Sequence, residues 1–289
     1  MNKVLFIVEG VKTEIGYAKS VIELQKELLS KNGNKSDTIV IESYGTLIYD
    51  LYKKINDLPN KDEFETIPLL REILEKKNKD KDYSHLDDID SFSEIFLFFD
   101  LDAHYYKKWE KEVAITTVIE QIGEMLNLFN ESTEKGQLMI SYPMVESIKC
   151  YSNEFVDFDK KRATISFYPI FPDVHFKDAS KLFCKRFPDY NKRPYNIDEM
   201  ISLIKYFTLC SKYLTGSFYL ETITDSLEIF NNQHKKFIFD EKKVVLLSAF
   251  PQFILYTFGN KFYDGLSDIK ENILGDGWEF SFYDFDQTS

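Results

Sequence analysis

The run KVLFIV at residues 3–8 ends in Glu9 and Gly10 and passes directly into a long stretch of helical periodicity. A short apolar run that hands over to an amphipathic helix is the opening unit of a parallel sheet with covering helices. In that helix Ile15, Ala18, Ile22 and Leu29 share one stripe, flanked by Val21 and Leu28. Gln25 interrupts the stripe and Leu24 lies off it. Thr13 is a suitable N-cap, and Asn32-Gly33 a suitable stop. DTIVIES (37–43) then predicts a second strand and GTLIYDLYKKIND (45–57) a second helix. The unit repeats, which points to an α/β fold.

Residues 58–93 break the rhythm. They are charged and turn-prone around one helical piece at 67–76, and read as an exposed, solvated insertion; the alternative is that their lysines meet phosphates. Residues 94–99 form a third strand ending at Asp100, 113–130 an amphipathic helix, and GQLMIS (136–141) a fourth strand ending at Ser141. From about residue 150 successive helices are expected, the last of them EKKVVLLSAFPQFILYTFG (241–259), with Pro188, Pro194 and Gly216 as punctuation. The acidic, aromatic tail is able to pack as a final strand. The expected organisation is thus a Rossmann-like, mostly parallel four-stranded sheet with flanking helices over 1–150, carrying the 58–93 insertion. A mainly α-helical domain follows over 151–289.

Composition narrows the setting. A chain of 289 residues with 44% hydrophobic content buries a substantial core rather than remaining disordered. Its net charge of −12 argues against non-specific adhesion to nucleic acid or anionic membrane, yet leaves room for a local cation that manages phosphate. Cys150, Cys184 and Cys210 are widely spaced, as in a reduced protein without disulfide frame or zinc finger. The apolar stretch Val4 to Val8 is too short for a signal peptide, and no run approaches a membrane span. A cytoplasmic location is expected.

The acids fall at chemically telling places. Glu9 ends the first strand and Glu14 follows five residues on; Asp100 and Asp102 end the third strand; Glu146 follows the fourth. In an open parallel sheet such strand ends share one crevice. Carboxylates meeting there repel unless they are protonated or bridged by cations, and hard oxygen ligands suit Mg²⁺ or Mn²⁺. Two residues apart on an extended segment, Asp100 and Asp102 point to one side and are placed to share a metal. Two such metals form the arrangement used for in-line attack at a phosphodiester. Gly10 allows a tight turn and close approach of a ligand.

VEGVKTE at the first strand end and FFDLD at the third resemble the signature of TOPRIM domains, the catalytic module of topoisomerases, primases and OLD-family nucleases. The extra acid Glu14 is similar to the OLD-like, defence-associated branch, and Glu146 in SYPMVES matches the acidic loop after the fourth strand there. VVLLSAFPQFILYTFG resembles a late helical segment of small TOPRIM effectors that pair with an ABC-type ATPase in bacterial anti-phage systems. The resemblance covers about 1–150, and the remainder only loosely. It implies a metal-dependent nuclease acting on RNA such as tRNA, or on DNA, as the toxic effector of a defence system, with a homodimer as one active form. Glu9 would be a metal ligand or general base, and Glu14, Asp100, Asp102 and Glu146 metal ligands. Lys12 or Lys149 would stabilise charge on the phosphate. No GxxxxGK[ST] occurs, so an ATPase would be a separate partner.

Two other readings stay open. A haloacid-dehalogenase-type phosphatase also carries Asp-x-Asp at a strand end, but normally at the first strand and with Thr or Val where His104 stands. A TOPRIM-like scaffold that binds and regulates an ATPase without catalysis is the other. His104 itself reads as a hydrogen-bonded loop residue. His85, His175 and His234 lack metal spacing and read as structural or exposed, and Cys150 as a small buried residue. KRFPDYNKRPY (185–195) is the most basic aromatic patch and reads either as a phosphate-contacting loop or as a solvated turn.

Overall fold

Strands that are apolar on both faces must be covered on both faces, and the N-terminal runs obey this. The computed structural model describes residues 3–31, 33, 36–61, 63–102, 115–170, 174–191, 194–264 and 273–285. Strands β1 (Lys3–Val8), β2 (Thr38–Ser43), β3 (Phe92–Asp100), β4 (Asn130–Glu131) and β5 (Gly136–Ser141) form one sheet in the order β2-β1-β3-β5-β4. The pairings β1–β2, β1–β3 and β3–β5 are parallel; only the short β4 edge is antiparallel. Helices α1 (Thr13–Lys31), α2 (Ile48–Asn56), α3 (Thr66–Lys77) and α4 (Ile115–Leu128) fill the crossovers. This is an α/β fold with a parallel-dominated sheet, close to the expected element order.

The 58–93 segment differs from a solvated linker. Ile67, Leu70, Ile73 and Leu74 recur at helical spacing along α3 and are buried, as are Tyr83 and Leu86 beyond it. Most of its charged residues are exposed, though Lys77 and Lys81 reach inward to Asp50 and to buried Glu42, and the apolar stripe decides where it packs.

The second half is rich in helix and also holds a sheet of its own. Helices α5 (Phe176–Arg186), α6 (Ile197–Thr215), α7 (Leu220–Thr224), α8 (Ser226–Gln233), α9 (Ala249–Phe258) and α10 (Asn260–Asp264) are present. They surround a second sheet of β6 (Val156–Asp157), β7 (Arg162–Pro169), β8 (Lys243–Val245) and β9 (Glu279–Asp284). The expected helix over 241–259 therefore starts only at Ala249. Pro251 fits in a first helical turn but its ring excludes a turn before it, and β-branched Val244 and Val245 favour the strand. The aromatic tail forms β9, parallel to β7.

The two sheets are stitched together. Beyond β5, Tyr142 bridges Leu247 by two backbone hydrogen bonds of 2.9 and 3.1 Å. Helix α9, which follows, covers the first sheet: Phe253 meets Phe6 and Phe96, with centroids 4.9 and 4.7 Å apart, and Phe250 stacks on Phe98 at 4.8 Å. Phe250 also meets Tyr17 of α1. Successive strand residues alternate faces, so Leu97 and Phe99 point the other way, where Phe99 meets Tyr44. Among the described residues no helix is long and apolar enough to cross a membrane.

Candidate functional site

The carboxyl ends of β1, β2 and β3 open onto a cleft of about 540 Å³. Register places the acids. Val8 pairs with Phe98 and with Ser43, so Glu9 emerges between the chain that continues to Asp100 and the chain that continues to Tyr44. The Glu9 N–H donates to the Phe98 carbonyl at 3.0 Å, and its own carbonyl accepts from Gly45 N–H at 2.8 Å. Its side chain turns back along β3 and accepts from the Asp100 N–H at 3.1 Å.

Asp100 and Asp102 line the same cleft. The backbone between them is not simply extended. Leu101 and Asp102 donate to the carbonyls of Ser141 and Pro143, and Asp102 has φ +36°. Asp tolerates that left-handed region better than most residues. It is this turn, rather than strand alternation, that returns Asp102 to the cleft. Glu14, in the first turn of α1, lies over Gly10: a Cβ there would stand 2.2 Å from Glu14 Oε2. Gly10 is the residue that lets Glu14 come so close.

Burial and mutual repulsion govern the acids. Burial pushes Glu9 up to about 8, the charges of Asp102 and Glu14 add to the rise, and the Asp100 N–H and Lys177 oppose it. Asp100 is held well above the usual carboxylate range by burial, then by the charges of Glu9, Glu14, Glu146 and Asp102. Glu146 sits in the turn Val145–Lys149, behind Asp100; it is buried, and its Oε2 has no hydrogen-bond partner. Oxygen donors of this kind are those taken by Mg²⁺ and Mn²⁺. Among the described residues no group of three or more His, Cys, Asp or Glu stands ready-made to hold a metal ion.

The cations differ from those named in sequence. Lys12 is exposed beside Val11 and does not line the cleft. Lys149 is half-buried at the end of its turn, with its charge on Cys150 and Cys184. The cleft instead takes Lys177 and His175 from the start of α5, with His175 Nδ1 accepting from the Lys177 N–H at 3.3 Å. A lysine in a first helical turn opposes the macrodipole, and that anomaly in VHFKDAS was the available signal. In the basic patch at 185–195, Tyr190 and Tyr195 are buried, Tyr195 stacked on Tyr17 and Tyr190 tilted against Tyr151, while Lys192 and Arg193 lie outside the described residues. His104 lies outside the described residues.

The wall on the β2 side was also missed. Thr46, Leu47 and Asp50 line the cleft, and Lys77 of the 58–93 segment reaches Asp50 at 3.0 Å. No protein-family model matches this chain, and comparison with curated proteins and with solved structures yields no match either.

Proposed function

We propose that the chain is a divalent-metal-dependent phosphodiesterase of the TOPRIM kind, a nuclease of RNA or DNA. The observation that carries this reading is the convergence of Glu9, Asp100, Asp102 and Glu14 at adjacent parallel strand ends in one cleft. Four carboxylates gathered with so little positive charge are poised to receive cations. The fit is supported by the orphaned, buried Oε2 of Glu146 and by the close approach that Gly10 allows Glu14. Mg²⁺ commonly takes only one or two protein carboxylates and completes its shell with water and substrate phosphate, so a preassembled cage is not required.

Glu9, Asp100, Asp102 and Glu14 would hold Mg²⁺ or Mn²⁺, with Glu146 as reserve behind Asp100. Such a cation, when bound, neutralises phosphate charge and makes water a better nucleophile at neutral pH. The remaining roles belong to the chain. Glu9, fixed to β3 by the Asp100 N–H, orients the centre of the cleft. Lys177 offers its ammonium to a phosphate oxygen from the opposite wall. The role as a defence effector restrained by a partner ATPase rests on the resemblance alone.

The test is cleavage of RNA and DNA by the purified chain with Mg²⁺ or Mn²⁺, beside Glu9→Ala and Asp100→Ala. Metal-dependent cleavage lost in both variants is expected. Undiminished cleavage in both overturns the reading. Co-purification with a neighbouring ATPase tests the partner.

A further inference from the structure

The cleft has two chemically different ends. Around Glu9, Asp100 and Asp102 it is acidic. On the β2 side, where Thr46, Leu47 and Asp50 line the same cleft, the wall is a neutral hydrogen-bonded cluster. Asp50 Oδ2 accepts from the Tyr44 hydroxyl at 2.9 Å, from Thr46 Oγ1 at 3.2 Å and from Lys77 Nζ at 3.0 Å. Lys77 also donates to Thr46 Oγ1 at 2.7 Å and lies 3.6 Å from the centre of the Tyr44 ring.

Three donors on one oxygen immobilise the carboxylate. They leave Oδ1 without a hydrogen bond among the described residues, on a side chain that lines the cleft. Burial pushes Asp50 up, but the hydrogen bonds from Lys77 and Tyr44 and the Lys77 charge outweigh it and keep the group ionised. Lys77 balances that charge, so a polyanion passing Asp50 meets no net repulsion. Half-buried Leu47 supplies an apolar surface beside it.

A fixed, ionised carboxylate on a side chain that lines a cleft, with one oxygen uncommitted, selects ligands that donate a hydrogen bond. Next to a phosphate seated at the acids, the donor that a nucleic acid carries at sugar level is the ribose 2′-hydroxyl. DNA lacks it. Resting on the phosphodiesterase reading, we propose that Asp50 Oδ1 accepts a hydrogen bond from the 2′-hydroxyl of the nucleotide adjoining the scissile phosphate, so that the cleft selects RNA. Thr46 and Lys77 hold Asp50 and are positioning residues.

Asp50→Asn is a sharp probe. The three donors demand an oxygen at the Oδ2 position, so the amide must turn its NH₂ to the place of Oδ1. The fold-holding bonds persist while the uncommitted acceptor becomes a donor. Binding is measured by fluorescence anisotropy with Ca²⁺ replacing Mg²⁺ to suppress turnover. The probes are a labelled oligoribonucleotide, its 2′-deoxy counterpart, and its 2′-fluoro counterpart, which lacks only the hydroxyl donor. The wild-type chain is expected to bind the ribo-oligomer roughly tenfold or more tightly than either analogue. In Asp50→Asn the ribo-to-fluoro ratio falls to about one.

Equal wild-type binding of all three oligomers overturns the proposal, and this arm suffices should the variant not fold. So does a preference that survives in Asp50→Asn. Absence of any Mg²⁺- or Mn²⁺-dependent cleavage alongside an intact ribose preference would sink the nuclease reading while leaving this subsite standing.

Discussion

The carboxylate of Glu9 accepts a hydrogen bond from the backbone N–H of Asp100, 3.1 Å away and 91 positions along the chain. The contact joins the ends of two neighbouring parallel strands through one side chain. It favours the ionised form of Glu9, yet burial outweighs it. The centre of the cleft is therefore held in place structurally while remaining electrostatically unsettled, which makes it sensitive to charge.

Glu9→Gln tests that tension. The amide oxygen still accepts from Asp100 while the charge disappears. Cleavage with Mn²⁺ should fall on the order of 100-fold or more. In metal-free buffer near neutral pH the same variant should melt several degrees higher than wild type, because it no longer carries the Glu9 proton-uptake penalty. Loss of activity together with a lowered melting temperature would contradict this account.

Metal-free stability should decline with rising pH. In the unfolded chain the Glu9 carboxyl ionises near 4.5, whereas in the folded chain it does so near 8. Below about 4.5 both states carry the proton and nothing is at stake. Between the two values folding requires proton uptake, so stability drops steadily, and above 8 the penalty is complete. Asp100 acts in the same direction. Urea unfolding from pH 5 to 8 should show a loss on the order of 3 kcal/mol, reduced by millimolar Mg²⁺.

Gly10→Ala should separate fold from site. The new Cβ would fall on the Glu14 carboxylate, the movable end of a side chain, so the backbone need not shift. Stability should change by less than about 1 kcal/mol. The Mn²⁺ concentration giving half-maximal thermal stabilisation should rise about tenfold as Glu14 is displaced.

Lys177→Met removes the ammonium from the wall opposite Glu9. The residue is exposed, so folding stability should stay within about 0.5 kcal/mol of wild type. KM for RNA should rise with a smaller change in kcat, as expected when an interaction common to ground and transition states is lost. Initial rates across substrate concentration separate the two.

Phe250→Ala is expected to cost about 3–5 kcal/mol, because that ring stacks on Phe98 and meets Tyr17. Denaturant unfolding followed by aromatic fluorescence measures it.

The sequence made the first sheet legible because local signals agreed: apolar runs, a turn residue and a helical stripe followed one another with little conflict. Glu9, Glu14, Asp100 and Asp102 could be grouped from strand ends alone, since a parallel sheet brings such ends together whatever the crossover lengths. Lys177, Asp50 and Lys77 could not. Lys177 and Asp50 reach the cleft, and Lys77 reaches Asp50, through packing of helices whose own patterns say only which side faces inward. The second sheet was hidden for a related reason. Arg162–Pro169 alternates in burial only at its start, and its partners β8 and β9 lie more than seventy residues away. Val244-Val245 looked like the start of a helix until Pro251 set the boundary.

The bridge from Tyr142 to Leu247 ties the first sheet to a segment made more than a hundred residues later. When the ribosome has released Glu9, Asp100 and Asp102, the faces of Phe6 and Phe98 still await Phe253 and Phe250. A nascent chain interrupted before α9 has every acid but lacks the helix that seals the sheet beneath them. The cleft lining is therefore made before the floor beneath it is covered, and a chain cut short of α9 would leave the rings of Phe6, Phe96 and Phe98 without Phe250 and Phe253.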